Sequence, residues 1–180
     1  MPSFFKFFCC WLRKIIHLIV CVFGPKPPKG DPPTTKQKTR FQNWFPNLKT
    51  WSVTGPATGG YWVSGSYNCI AWSVGVTDDW LWPGNTVQDF DAFYASYGWT
   101  ISDSCERKYK KRKVALYAYN SDPNDCTHGS RETHDCSWHE SKCGGAERIM
   151  HIKSELEGGD YGSIIRCYEK QDSKANLDLC

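Results

Sequence analysis

A cysteine, Cys69, lies where a loop rich in glycine, serine and asparagine meets an apolar run, in the segment SYNCIAWSVG. Asn68, directly before it, is a residue type that caps helices, so the sequence predicts a helix that begins at Cys69. The helix dipole and the free N–H groups at that end favour a thiolate, which is the nucleophilic form of cysteine. The pattern therefore indicates a nucleophile whose pKa lies below that of a free thiol. An inert buried thiol and a disulfide-bonded cysteine are the alternatives.

A cysteine nucleophile needs a base, which is usually a histidine from elsewhere in the chain. His128 lies inside a predicted strand, which would fix its orientation, and it is the candidate base; a structural strand residue is the alternative. Ser141, on a later strand, could orient the imidazole. The side chain of Asn68 or the backbone N–H of Cys69 would hold an oxyanion. His151 is interpreted as a packing residue, because its neighbours are apolar.

The sequence predicts no metal and no cofactor. It contains no pair of cysteines separated by two residues, which argues against a zinc ribbon. His128, His134, Cys136 and His139 alternate across a predicted hairpin and match no standard metal-binding spacing. The basic run at 107–113 is interpreted as a solvated loop before a strand, so no nucleic-acid partner is predicted.

The formal charge of +3 is unevenly distributed, because nine of the 22 lysines and arginines lie before residue 50. Residues 1–23 predict a helix with a narrow cationic stripe and a wide aromatic and aliphatic face. Such a helix suits a membrane interface, where bases meet anionic lipid, so the membrane surface is the predicted partner and the protein is predicted to be membrane-associated. A cleaved signal peptide, which would make the protein secreted, and a buried core helix are the alternatives.

Four segments follow from these patterns. Residues 1–23 form the amphipathic helix, and the proline-rich residues 24–40 form an extended tether. Residues 41–171 form the globular domain, and residues 172–180 form a tail. Six cysteines follow Cys69, five in the globule and Cys180 in the tail, an even set that could form disulfides in an oxidising compartment.

The globular domain changes its hydrophobic period half-way along the chain. One helix is predicted from Cys69, and a second begins after Thr86, which forms a capping box with Asp89. The second half predicts four strands and one more helix: strands at 113–119, 127–132, 137–142 and 162–170, and an amphipathic helix at 146–158. Because the helices come before a mostly antiparallel sheet in the sequence, an α+β fold is predicted, with the N-terminal helices packed on about four strands.

Six blocks of the sequence resemble a family of uncharacterised domains. They are NCIAWSVGVTDDWLWPG, KVALYA, THGSRE, SWHESKCGG, ERIMH and EGGDYGSIIRCYEK, and they cover roughly residues 61–170. The family pattern runs NCIAWA, WWP, VALY, THAAR, WxSKLG, DIxH and LxGxxYG. Asn68, Cys69, His128 and Ser141 occupy matching positions, whereas Gly129 and Ser130 replace two alanines.

The order of a helical cysteine followed by a sheet with histidine is also similar to that of papain-like and NlpC-type cysteine hydrolases. This similarity implies a papain-like arrangement of the fold. The resulting hypothesis is a thiol-dependent hydrolase or acyl or amide transferase, with Cys69 as nucleophile and His128 as base. The alternative is a non-catalytic, disulfide-stabilised secreted or surface domain that binds through its aromatic residues.

Overall fold

The computed structural model describes residues 29–60, 63–108, 110–133 and 138–172. The amphipathic helix predicted at 1–23 lies outside these residues, so membrane association stays a prediction. Within the described ranges, every helix is too short or too polar to cross a membrane.

Three α-helices and seven β-strands make up the described part of the chain. The helices are α1 (Thr35–Trp44), α2 (Cys69–Val74) and α3 (Val87–Ser96). The strands are β1 (Trp51–Gly55), β2 (Thr100–Ser102), β3 (Lys111–Ala118), β4 (Cys126–Glu132), β5 (Trp138–Lys142), β6 (Arg148–Ile152) and β7 (Ser163–Gln171). Short 3₁₀ turns follow β3 and β6, at Tyr119–Ser121 and Lys153–Leu156.

All seven strands belong to one sheet, in the order β1-β6-β5-β4-β3-β7-β2, and every pairing is antiparallel. The predicted fold of about four strands in a papain-like arrangement is therefore wrong. The segment 146–158, predicted as a helix, is β6 and its 3₁₀ turn, and β2 was not predicted.

The error at β6 has a physical cause. Ile149, Ile152 and Leu156 have helical spacing, but Ile149, Met150 and His151 are all buried in β6, between β1 and β5. A strand buried on both faces does not alternate between apolar and polar residues, so its pattern resembles that of a short buried helix.

Helix α1 begins inside the segment that the sequence assigns to the tether. Thr34 forms a capping box with Gln37, which starts the helix directly after the last proline of the segment. The helix buries Phe41, and Phe45 follows it into the core. Asp31 also pairs with Val53 of β1, so part of the predicted tether is bonded to the sheet.

The sheet has a hydrophobic cluster on each face. Along β3, Val114 and Leu116 face α2 and α3, whereas Ala115 and Tyr117 face α1. This alternation is the two-residue period of a strand. Side chains of the central strands can therefore be assigned to an α2–α3 face or an α1 face.

Candidate active site

Cys69 is the first residue of α2, as predicted. The side-chain oxygen of Asn68 accepts a hydrogen bond from the backbone N–H of Ala71 (3.0 Å), and its amide donates to the carbonyl of Leu81 (2.6 Å). Asn68 is thus a buried capping residue that fixes the start of the helix.

The thiol of Cys69 is free and only 5% exposed. Burial raises its pKa to about 11, although hydrogen bonds from the backbone of Gly129, Ile70 and Cys69 itself favour the thiolate, as does the nearby Lys142 cation. The predicted low pKa is therefore wrong, because desolvation outweighs the helix end. At neutral pH Cys69 is a protonated thiol, which needs a base before it can attack.

Strands β4 and β5 separate next to this thiol. Within the described residues they pair through Arg131 with Glu140 and Glu132 with His139, and a backbone hydrogen bond from Thr133 to Trp138 (2.7 Å) follows these pairs. Gly129 precedes these paired residues in β4 and has no partner on β5. Its backbone N–H bonds to the Cys69 sulfur instead. We call the opening between β4 and β5 the fork.

Gly129 lets α2 and α3 approach β4 closely. A Cβ added at this position would lie 2.7 Å from the hydroxyl of Tyr94 and 3.0 Å from Cδ1 of Ile70. A side chain here would have to push the ends of Tyr94 and Ile70 aside, so glycine favours the close contact that places Cys69 beside the peptide following His128.

Three buried side chains form a hydrogen-bonded chain across β4, β5 and β6. His128 Nε2 lies 2.8 Å from Ser141 Oγ, and the same oxygen lies 2.8 Å from His151 Nε2. His151 Nδ1 lies 2.8 Å from the carbonyl oxygen of Ile152. The ring of Tyr161 stacks on His128 with 3.8 Å between centroids. We call His128, Ser141 and His151 the histidine relay.

The carbonyl at the end of the histidine relay determines where its protons lie. A carbonyl only accepts, so Nδ1 of His151 carries the proton and Nε2 of the neutral ring is an acceptor. Ser141 must donate its one proton to that nitrogen, and its oxygen then accepts from Nε2–H of His128. The remaining nitrogen, Nδ1 of His128, carries a free lone pair. It is buried and has no hydrogen-bond partner among the described residues.

The structure brings the predicted residues together in two groups. His128 and Ser141 are bonded, and Asn68 and Cys69 are joined at the start of α2. His128 packs beside Tyr117 on the α1 face, whereas Cys69 belongs to the cluster on the α2–α3 face. Across the described ranges no hydrogen bond joins the thiol to the imidazole. The thiol and the imidazole therefore lie on opposite faces of the sheet.

Neither His151 nor Gly129 is recognisable as a site residue from the sequence. His151 was interpreted as a helical packing residue, and its alignment with Ser141 depends on β6 being a strand. Gly129 appeared only as a departure from a family pattern. Among the described residues no group of three or more histidines, cysteines or acids could hold a metal, and His134 and Cys136 lie outside those residues.

Acidification is expected to destabilise the fold because its buried histidines resist protonation. Burial lowers the pKa of His128 and His139 well below 6.5 and that of His151 to about 4. Below pH 6.5 the unfolded chain binds these protons first, so stability falls as the pH drops towards 4. For His151 alone the loss is about 3 kcal/mol.

Glu132 opposes this trend, since burial raises its pKa to about 7 and the folded state protonates it first. The measurement is therefore the urea midpoint of the Glu132→Gln protein, followed from neutral pH down to about pH 4, the pKa of His151. A midpoint that does not fall across this range would contradict the prediction.

One protein family matches the chain: residues 54–169 match the family described as a domain of unknown function (DUF7689). The match covers more than half of the chain, and the chain belongs to this family. No curated protein and no solved structure matches the chain.

Proposed function

For this member of the family we propose thiol-dependent acyl transfer, as a hydrolase or a transferase, with Cys69 as the nucleophile and His128 as its base. The observation that carries the proposal is the free lone pair on Nδ1 of His128. A buried polar atom without a partner is uncommon in folded proteins and calls for an explanation. A base kept ready for an incoming proton is such an explanation.

The histidine relay supports this role in two ways. Its hydrogen bonds hold His128 as the tautomer with a proton on Nε2, which leaves the lone pair of Nδ1 to accept a proton. Burial also keeps the imidazole neutral at and below neutral pH, because its pKa lies well below 6.5. A neutral imidazole can accept a proton, whereas an imidazolium cannot; the same burial weakens the imidazole as a base, so the proton must move in concert with the attack of the sulfur.

The Cys69 thiol supports the proposal through its surroundings. Backbone N–H groups of Ile70 and Gly129 reach the sulfur, and such groups stabilise negative charge on a nucleophile or an oxyanion. Gly129 follows His128 directly, so the thiol approaches the strand at the residue beside the base. The two side chains lie on opposite faces of the sheet, and the fork is where β4 and β5 lack backbone pairing between them.

The reaction starts from a neutral pair, since the pKa of Cys69 is about 11. The sulfur attacks an acyl carbon while its proton moves to Nδ1 of His128. The C–X bond then breaks, where X is the oxygen, sulfur or nitrogen of the leaving group, which takes that proton. The acyl group remains as a thioester on Cys69. Water releases it as an acid, or a second nucleophile takes it over, and the thiol is regenerated.

The test is acyl-enzyme capture on the full chain with p-nitrophenyl acetate, followed by peptide mass mapping. Cys126 provides an internal control, since it is a free thiol whose pKa is also raised to about 11 but has no histidine relay beside it. We expect the acetyl group on Cys69 well before Cys126. Equal or slower acetylation of Cys69 in the folded protein would overturn the proposal.

A second candidate is a non-catalytic, disulfide-stabilised secreted or surface domain. The disulfide between Cys105 and Cys167 favours it, because such bonds persist in oxidising compartments. The same mapping experiment separates the two candidates. A Cys69 that stays unmodified while the protein is folded favours the binding domain.

A further inference from the structure

Two arginines lie over one indole ring on the α2–α3 face of the sheet. The guanidinium carbons of Arg131 and Arg148 are 4.2 Å and 4.1 Å from the ring centroid of Trp72. Trp72 is in α2, one helical turn after Cys69, whereas the arginines are on β4 and β6. The cations therefore meet beside the helix that carries the thiol.

A third arginine, Arg112, lies near Arg131 because β3 pairs with β4. Val114 of β3 pairs with Arg131 of β4, and Arg112 lies two residues before Val114 on the same face. Diagonal neighbours of this kind have Cα atoms about 7–8 Å apart. Arg112 thus lies close to Arg131, on the side away from Arg148.

The charges of this group are not balanced. Among the described residues, Glu140 is the acid that interacts with it: its carboxylate pairs with Arg148 (3.2 Å) and, from the opposite position on β5, also attracts Arg131. Arg148 also donates to the carbonyl of Thr54 (2.7 Å), so its guanidinium is well bonded. In contrast, Arg131 makes no hydrogen bond or ion pair within the described part of the chain, and Trp72 is its cation–π partner.

Two further N–H donors beside Arg131 lack acceptors. The indole nitrogen of Trp72 and Nε of Arg112 are buried, and neither has a hydrogen-bond partner among the described residues. Leaving a buried donor without a partner costs about 1–3 kcal/mol. Arg131 also has its pKa lowered to about 10, first by burial and then by the positive charge of Arg112. Unmatched donors and crowded cations both favour a negatively charged acceptor.

We propose that Trp72, Arg112 and Arg131 form a binding site for an oxyanion, the carboxylate or phosphate group of a ligand. An oxyanion there would neutralise the excess charge and accept from the unpartnered donors. Guanidinium groups bind both kinds of oxyanion, often through two parallel hydrogen bonds. We call this the oxyanion site.

The proposal stands whether or not Cys69 is catalytic. If the proposed acyl transfer is correct, the position of Trp72 one turn after Cys69 places the acidic group of a substrate close to the thiol. The substrate class would then be acyl compounds that carry a carboxylate or a phosphate.

The test measures anion binding directly, by intrinsic tryptophan fluorescence and thermal shift of the full chain. The probes are inorganic phosphate and succinate, titrated against sodium chloride at matched ionic strength. We expect saturable binding of at least one probe and a change in tryptophan emission. Saturation with phosphate or with succinate alone also identifies which oxyanion the site prefers.

Three variants locate the binding. Arg131→Gln should weaken it at least tenfold, because it removes the guanidinium that makes no ion pair within the described residues. Arg131→Lys should retain part of it, and Lys36→Gln, an exposed charge on α1, should leave it unchanged. Binding that is equal in Arg131→Gln and the unaltered protein, or no saturable binding of either probe, would overturn the proposal. Acetylation of Cys69 is not needed for any of these readouts.

Discussion

His128→Gln is expected to slow acetylation of Cys69 by p-nitrophenyl acetate about 10²–10⁴-fold, the usual contribution of a general base. Glutamine can still donate an N–H to Ser141, which keeps the histidine relay bonded, but it has no basic lone pair. With a thiol pKa of about 11, little thiolate exists at neutral pH to react without help. The measurement is the acetylation rate of Cys69 by peptide mass mapping.

His139→Gln is the matched control for that variant. His139 is another buried histidine on the same face of the sheet, but Nδ1 of its ring bonds to Ser130 (2.8 Å) and not to the relay. It should leave the acetylation rate within a few-fold of the unaltered protein. If the two variants react alike, or if His128→Gln reacts at the original rate, His128 is not the base.

Removing the disulfide is expected to be the largest single loss of stability. Cys105, in the loop after β2, is bonded to Cys167 of β7, across 62 residues of chain. Closing a loop of that length stabilises a fold by about 4 kcal/mol in the chain-entropy account. The double variant Cys105→Ser, Cys167→Ser should therefore unfold at clearly lower urea concentration, as should the reduced protein.

Cys126→Ser is the control for the disulfide variant, since Cys126 is a buried free thiol. It should lose less stability than the double variant and should stay sensitive to reductant. Urea midpoints measured with and without reductant give both comparisons. A midpoint of the unaltered protein that reductant does not shift would show that this bond does not stabilise the fold.

Local signals predicted the starts of two helices well. Asn68 and the Thr86–Asp89 capping box act on N–H groups within one turn, so their effect can be read from neighbouring residues. The same type of signal, Thr34 with Gln37, marks the start of α1. The prolines before this capping box are typical of an extended chain, and residues 24–40 are therefore predicted as a tether.

The strand order and the relay could not be predicted in the same way. β6 is recognisable as a strand only once β1 and β5 are known to flank it, and its pairing with β1 joins residues about a hundred positions apart. The pairing with β5, its neighbour in the chain, then brings His151 close to Ser141. The raised pKa of Cys69 likewise depends on burial by distant elements, whereas the helix end that opposes it is local.

The most direct test of the account is the protonation of His128, read from nitrogen NMR of histidine-labelled protein at neutral pH. The hydrogen bonds to Ser141 and His151 predict a neutral ring with its proton on Nε2 and an unprotonated Nδ1. Ser141→Ala should remove the acceptor for that proton and shift the ring towards the other tautomer. A proton on Nδ1 of His128 in the unaltered protein, or a doubly protonated ring, would contradict the assignment of His128 as the base for Cys69.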